Sequence, residues 1–223
     1  MFKKICVVLL VMVVLLFLNH SCTFAKTFYY RVEEEKGTRE LIYRVEEKQD
    51  YIIIEGVDGE RKLRYELNKP DLETISSEVL INEEETEIKM EGKDEQIFIS
   101  AKSQGTEIDK IIEVEQEKWY QLFSFSLQNF VLSEDNKIDF ISISSNDQNK
   151  NKMFAEKKER EIIEIAGQEY EAYRVEVRLR GFFRFFWVNE YWFRVTDGVF
   201  LKQIGELDRE GGEVTVELKK IKD

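Results

Sequence analysis

The side chains best suited to nucleophilic attack, proton shuttling or metal binding are scarce in this chain and cluster at one end. Its single histidine is His20, and its two cysteines are Cys6 and Cys22. A Ser-His-Asp or Cys-His site, a Cys/His zinc site, a disulfide or a haem held by His or Cys would need these groups. All three fall within residues 1–25, which have the layout of an export signal. Lys3 and Lys4 precede an unbroken apolar run of 14 residues, 5–18, and Thr23-Phe24-Ala25 then offers cleavage before Lys26. The run is shorter than the ~20 residues that span a bilayer. The alternative is a lipoprotein signal acylated on Cys22; Ser21 suits the preceding position, but Asn19 and His20 fit it poorly. The expected protein is thus exported to the periplasm, and membrane-anchored only if Cys22 carries lipid. Its single folded domain is 26–223, with no imidazole and no thiol.

What remains for chemistry is carboxylates, lysines, tyrosines and hydroxyls. Carboxylate pairs hydrolyse glycosides when one acid has a raised pKa in an apolar setting. With 45 acidic residues, chance pairs are inevitable, and none sits in a clearly apolar setting; Asp139 beside Phe140 and Glu190 beside Tyr191 are the candidates that come nearest. The runs Glu33-Glu34-Glu35 and Glu83-Glu84-Glu85 lack the alternating ligand spacing of a calcium loop. Neither a phosphate-cradling glycine loop nor a serine nucleophile elbow is present. The sequence therefore predicts no catalytic residues, no metal and no cofactor. The formal net charge is −12, and without Lys3 and Lys4 the balance is 31 basic against 45 acidic residues, or −14. Such a surface repels phosphate backbones, so no nucleic-acid partner is expected.

The elements that would position any site read as strands. Leu63, Tyr65 and Leu67 alternate with Lys62, Arg64 and Glu66. The same period of two recurs at Thr86, Ile88 and Met90, at Tyr173, Val175, Val177 and Leu179, and at Val214, Val216 and Leu218. Each is the signature of an antiparallel strand with one buried and one solvated face. Turn pairs such as Asp58-Gly59, Gly167-Gln168, Asp197-Gly198 and Gly211-Gly212 fall at hairpin spacing, and about ten to twelve strands follow. Residues 117–132 break the pattern: Trp119, Leu122, Phe123, Leu127, Phe130 and Val131 recur near helical spacing, which predicts one main helix packed on the sheet.

Residues 181–200 form an unusual aromatic stretch, GFFRFFWVNEYWFRVTDGVF. Phe183, Phe185, Trp187, Tyr191 and Phe193 share one strand face, suited to a core. The other face mixes Phe182, Phe186 and Trp192 with Arg184, Glu190 and Arg194. A solvated face has no need of bulky rings. That second face either lies under the helix, lines a cavity inside a curved sheet, or docks a partner. A transmembrane barrel is excluded, because strands such as that of Arg174, Glu176, Arg178 and Arg180 carry a densely charged face where lipid would lie. The chain is not expected to be an integral membrane protein.

The order of these features resembles an exported bacterial family of unknown function related in fold to LolA-type lipoprotein carriers. The residues that carry the resemblance are Lys118-Trp119-Tyr120-Gln121, Phe125-Ser126-Leu127-Gln128-Asn129-Phe130, Met153-Phe154-Ala155, Ala172-Tyr173-Arg174-Val175 and Phe186-Trp187-Val188-Asn189-Glu190-Tyr191-Trp192-Phe193-Arg194. The resemblance implies an all-β fold, an incomplete LolA-like antiparallel barrel wrapped around a helix, and no catalytic residues. The expected function is non-catalytic binding of a lipid or lipoprotein acyl chain. Trp119, Phe123, Phe186, Trp187 and Trp192 would form the wall, and Arg184 or Arg194 would hold an anionic head group at the rim. The alternative is an envelope interaction module that docks a protein through the aromatic strand face.

Overall fold

The computed structural model describes residues 25–82, 85–181, 187–206 and 212–223. Residues 1–24, with His20, Cys6 and Cys22, lie outside them, so all of the expected export signal except Ala25 does. Fourteen strands among the described residues make one antiparallel sheet. β1 (Ala25–Glu34) lies in its middle. The chain runs outward by hairpins through β2 (Gly37–Glu47), β3 (Tyr51–Asp58), β4 (Arg61–Asn68), β5 (Thr74–Ile81), β6 (Thr86–Lys93) and β7 (Gln96–Ser103) to an edge at β8 (Thr106–Glu113). It then crosses to the opposite edge and returns through β9 (Lys137–Ile143), β10 (Lys150–Ile165), β11 (Gln168–Leu179), β12 (Val188–Arg194) and β13 (Phe200–Gly205) to β14 (Val214–Lys222), which pairs with β1. Edges β8 and β9 do not pair with each other, so the barrel is incomplete. The count exceeds the ten to twelve expected partly because some turns, such as Lys48-Gln49-Asp50, carry neither Gly nor Pro to announce them.

The crossover differs from the expected helix over residues 117–132. Only two short helices form, α1 (Phe123–Ser126) and α2 (Gln128–Leu132). Residues 118–121 are extended because the backbone finds better partners than one more helical turn would supply. The Tyr120 N–H donates to the Ile141 carbonyl at 2.9 Å, and the Ile141 N–H donates to the Lys118 carbonyl at 2.8 Å. On the other side the Thr74 N–H donates to the Trp119 carbonyl at 2.9 Å. The Gln121 side chain extends this pairing: its Nε2 donates to the Ile143 carbonyl at 2.8 Å, and its Oε1 accepts the Ile143 N–H at 3.0 Å. Backbone groups buried inside a curved sheet would otherwise be left unpaired, at a cost of about 1–3 kcal/mol each.

Two core clusters result. The larger joins β1–β4, β9–β14 and both helices, with Phe125, Leu127 and Val131 almost fully buried. Phe125 meets Phe28 and Tyr43 edge-on, at centroid distances of 5.8 and 5.3 Å. The smaller cluster lies under β5–β9 and takes in Trp119. The Trp119 ring rests on Gly92, where an added Cβ would come within 3.3 Å of it. Among the described residues no helix is long and apolar enough to cross a membrane.

Replacing Gln121 by Ala should strand both backbone groups of Ile143 and lower stability by about 2–4 kcal/mol. Urea denaturation measures this, and a loss below about 0.5 kcal/mol, the range of ordinary surface substitutions, would contradict the structural role given to the side chain.

Candidate functional site

Strand alternation puts Tyr43 on β2, Leu63 and Tyr65 on β4, Tyr191 on β12 and Val216 on β14 on the inner face of the curve. α2 plugs one end of this curve. The Asn129 side chain donates to the Pro70 carbonyl at 3.0 Å, and a Cβ on Gly198 would lie 3.0 Å from the Gln128 carbonyl. Beyond the plug, towards the opposite end, the inner faces enclose a cavity of about 760 Å³. Leu122, Phe123 and Ser124 of the crossover line it from within. Its mouth is formed by the ends of the hairpins, with Asp58 and Arg61, Ser103 and Thr106, and the β9–β10 turn at Ser144, Ser145 and Gln148.

Two of the expected wall residues line the cavity. Phe123 stands edge-on to Phe140 at 5.3 Å and to Tyr191 at 6.2 Å. Trp187, half-buried, lines it from the start of β12. Two other wall residues, Trp119 and Trp192, do not, and neither does Arg194, expected at the rim. Trp119 is buried in the neighbouring cluster, its indole N–H donating to Gln121 Oε1 at 3.1 Å, because the extended crossover turns it towards Gly92. Trp192 pairs in register with Arg174 and Lys202, on the face opposite Tyr191. Its indole N–H donates to the Glu161 carboxylate, and the Lys202 ammonium lies 5.9 Å from its ring. At 7% exposure Trp192 offers no docking surface either. Arg194 is committed to Asp197, with contacts of 2.8 and 2.6 Å, and its guanidinium lies 5.9 Å from the Tyr170 ring. Phe186 and Arg184, like Phe182, Phe183 and Phe185, lie outside the described residues.

The two carboxylates singled out earlier are ion-paired away from the cavity. Asp139 lies 3.7 Å from Arg180, and Glu190 lies 2.9 Å from Arg174. Asp58, the buried acid at the mouth, is held by Arg39, whose Nη2 donates to it at 3.0 Å.

Sequence reasoning missed the polar part of the lining. Tyr43, Tyr65, Tyr191, Ser124 and Gln203 are all buried around the cavity. The alternation in β4 does assign Tyr65 to the inner face, but nothing in the short β13 marks Gln203. Burial holds the phenols in their neutral form. It pushes Tyr65 up to about 12, against the opposing pull of Arg61, and raises Tyr43 and Tyr191 as well. Asn189 is fixed beside them by a two-way pairing with the Glu206 backbone, both contacts at 2.8 Å. That pairing requires Gly205, at φ +144°, because an added Cβ would overlap Asn189 Oδ1.

These features define a β-barrel-like protein, one incompletely closed antiparallel sheet curled around its own crossover. Among solved structures it is similar to the beta-barrel-like protein of a domain of unknown function, DUF1849, from Brucella abortus, with a TM-score of 0.56 at 6% identity over 90% of this chain and 97% of that one. The hypothetical lipoprotein YmcC from Escherichia coli aligns with 87% of this chain and 83% of its own, at 13% identity and a TM-score of 0.38. The LolA superfamily protein NE2245 from Nitrosomonas europaea aligns with 90% and 85%, at 9% identity and a TM-score of 0.25. The first likeness establishes the fold alone, and the other two, at their scores, carry no argument. The incomplete antiparallel barrel expected from the sequence is the fold of the first of these neighbours, itself a domain of unknown function. No protein-family model matches the chain, and neither does any curated protein.

The buried tyrosines set an alkaline limit on stability. Their folded pKa values lie above the unfolded value of about 10, so unfolding is favoured once phenols can ionise. Stability should be fully present below about pH 10 and fall as pH rises towards the folded values, which for Tyr65 means about 12. Urea midpoints followed from pH 8 upward should show this, with a shallower fall in Tyr191→Phe; a midpoint indifferent to pH above 10 would contradict it.

Proposed function

We propose that this is an exported, non-catalytic protein of the cell envelope that shelters an apolar ligand, a lipid or acyl chain, inside its curved sheet. The observation that carries the reading is the cavity of about 760 Å³ with Phe123, Trp187, Tyr191 and Phe200 in its wall. That volume falls within the roughly 300–1,000 Å³ of small-molecule sites. Hydrocarbon buried against such a wall gains about 0.8 kcal/mol per CH₂ group. The ion-paired settings of Asp139 and Glu190 favour binding over carboxylate catalysis. The buried state of Trp192 favours a ligand over a protein docked on the aromatic strand.

Protein taken from its own envelope should carry lipid in native mass spectrometry. Delipidated protein should show a higher Tm on addition of fatty acid or phospholipid, with quenching of Trp187 fluorescence by a brominated chain. Ala101→Trp, which places an indole in the cavity wall, should abolish both responses while the protein remains folded. Lipid-free protein indifferent to every chain offered would end this reading.

A further inference from the structure

The cavity has one property that a purely hydrocarbon cargo leaves unexplained. Four of its buried side chains end in polar groups that find no hydrogen-bond partner among the described residues: the hydroxyls of Tyr43, Tyr65 and Ser124, and the amide of Gln203. The residues are only 5%, 7%, 7% and 6% exposed. Their polar atoms are nevertheless not among the sealed, unpartnered atoms of the interior, which include Ser77 Oγ and Ser126 Oγ. They therefore open onto the hollow itself. Register brings them to a common surface: Gln203 lies opposite both Tyr191 and Val216, Tyr43 opposite Gly56, and Tyr65 opposite Ile54. Tyr65 is among the groups near enough to Tyr43 to hold its phenol neutral, after burial itself.

The lining is also electrically balanced. Its charged residues among the described ones are Asp58 and Glu206 against Arg61 and Lys102. Asp58 is taken by Arg39, Lys102 lies 3.3 Å from Glu107, and Arg61 has a partner of its own. In a chain of net charge −12, this wall presents no surplus cation to a phosphate or carboxylate and no surplus acid to an amine. Unpaired hydroxyls and amides beside aromatic rings, without net charge, match an uncharged ligand rich in hydroxyl groups.

We infer that the cavity selects a neutral, hydroxyl-rich amphiphile, a glycosyl or polyol lipid, over a fatty acid or anionic phospholipid. This rests on the cavity being the ligand site, as proposed above. The same hydrogen-bonding chemistry exists in a free saccharide, so the test separates the sources. Calorimetry of the delipidated chain is carried out with dodecyl maltoside below its micellar concentration, sodium dodecanoate and maltose. The glycoside should bind about tenfold or more tightly than dodecanoate, and maltose should bind weakly or not at all. Gln203→Met and Tyr65→Phe, which keep the shape of the wall, should each weaken the glycoside about five- to tenfold, the loss of one hydrogen bond, and leave dodecanoate unchanged. Dodecanoate binding as tightly as the glycoside would overturn the selectivity and leave the acyl-chain function standing. Maltose binding as tightly as the glycoside would overturn the amphiphile. If none of the three binds, the inference falls together with the ligand function.

Discussion

The structure depends on the way residues 118–121 are paired inside the sheet. β8 and β9 lie at opposite edges, so the connection between them must pass through the interior of the curve. An irregular segment in that position is tolerable only if its backbone is satisfied. β9 supplies the pairing on one side and the start of β5 on the other, while the amide of Gln121 stands in for one more residue of strand. The same bonds tie β9 to the start of β5 through the crossover. Lysines complete the join from outside: Lys110 Nζ donates to the Gln148 carbonyl at 2.8 Å, and Lys150 Nζ donates to the Glu113 carbonyl at 2.8 Å. The β9 edge is thus occupied by the crossover, which is one way to keep an exposed edge from adding a foreign strand.

Charge on the outer face does a different job. Cross-strand pairs such as Lys202–Glu217 at 2.8 Å and Arg174–Glu190 at 2.9 Å are partly solvated and add little stability individually. Their value is in keeping register. A slip of one residue would bury these charges and expose Tyr191, Phe193 and Val216, so the alternation that makes the sheet soluble on one side also defines it on the other. With no cysteine among the described residues, stability comes from the core, and the aromatic contacts of Phe125 with Phe28 and Tyr43 tie the crossover to the sheet.

Strand character was legible because it is local. The alternations at Leu63, Tyr65 and Leu67, at Val175 and Val177, and at Val214, Val216 and Leu218 give the faces that these residues occupy. The state of residues 117–132 was not, because their apolar spacing suits a helix and an irregular buried segment equally. The deciding partners, Thr74 and Ile141, lie far away in sequence. The site was half legible for a related reason. Parity separates Tyr191 from Trp192, but it does not say which aromatic will be covered by a neighbour such as Glu161 and which will face a void. A void is set by what fails to fill it, and that has no local signature.

The void itself has an identifiable origin. The helices begin only at Phe123, the extended segment before them carries Trp119 into the smaller core cluster, and the space beyond the helical plug is left to the strands. Gly56 keeps the Tyr43 ring close to β3, since a Cβ there would stand 2.8 Å from the ring. A bulkier residue at 56 would push that ring inward. The sheet could have used its aromatics to fill the hollow, as cores at native packing density do. Instead Tyr43, Tyr65 and Tyr191 stand at its wall, and the polar ends of Tyr43 and Tyr65 reach no protein partner among the described residues. Leaving buried hydroxyls unpaired costs stability, and keeping a cavity open costs more. Both costs fall on the same few residues, which is the pattern expected where a wall is shaped for something other than the protein's own side chains.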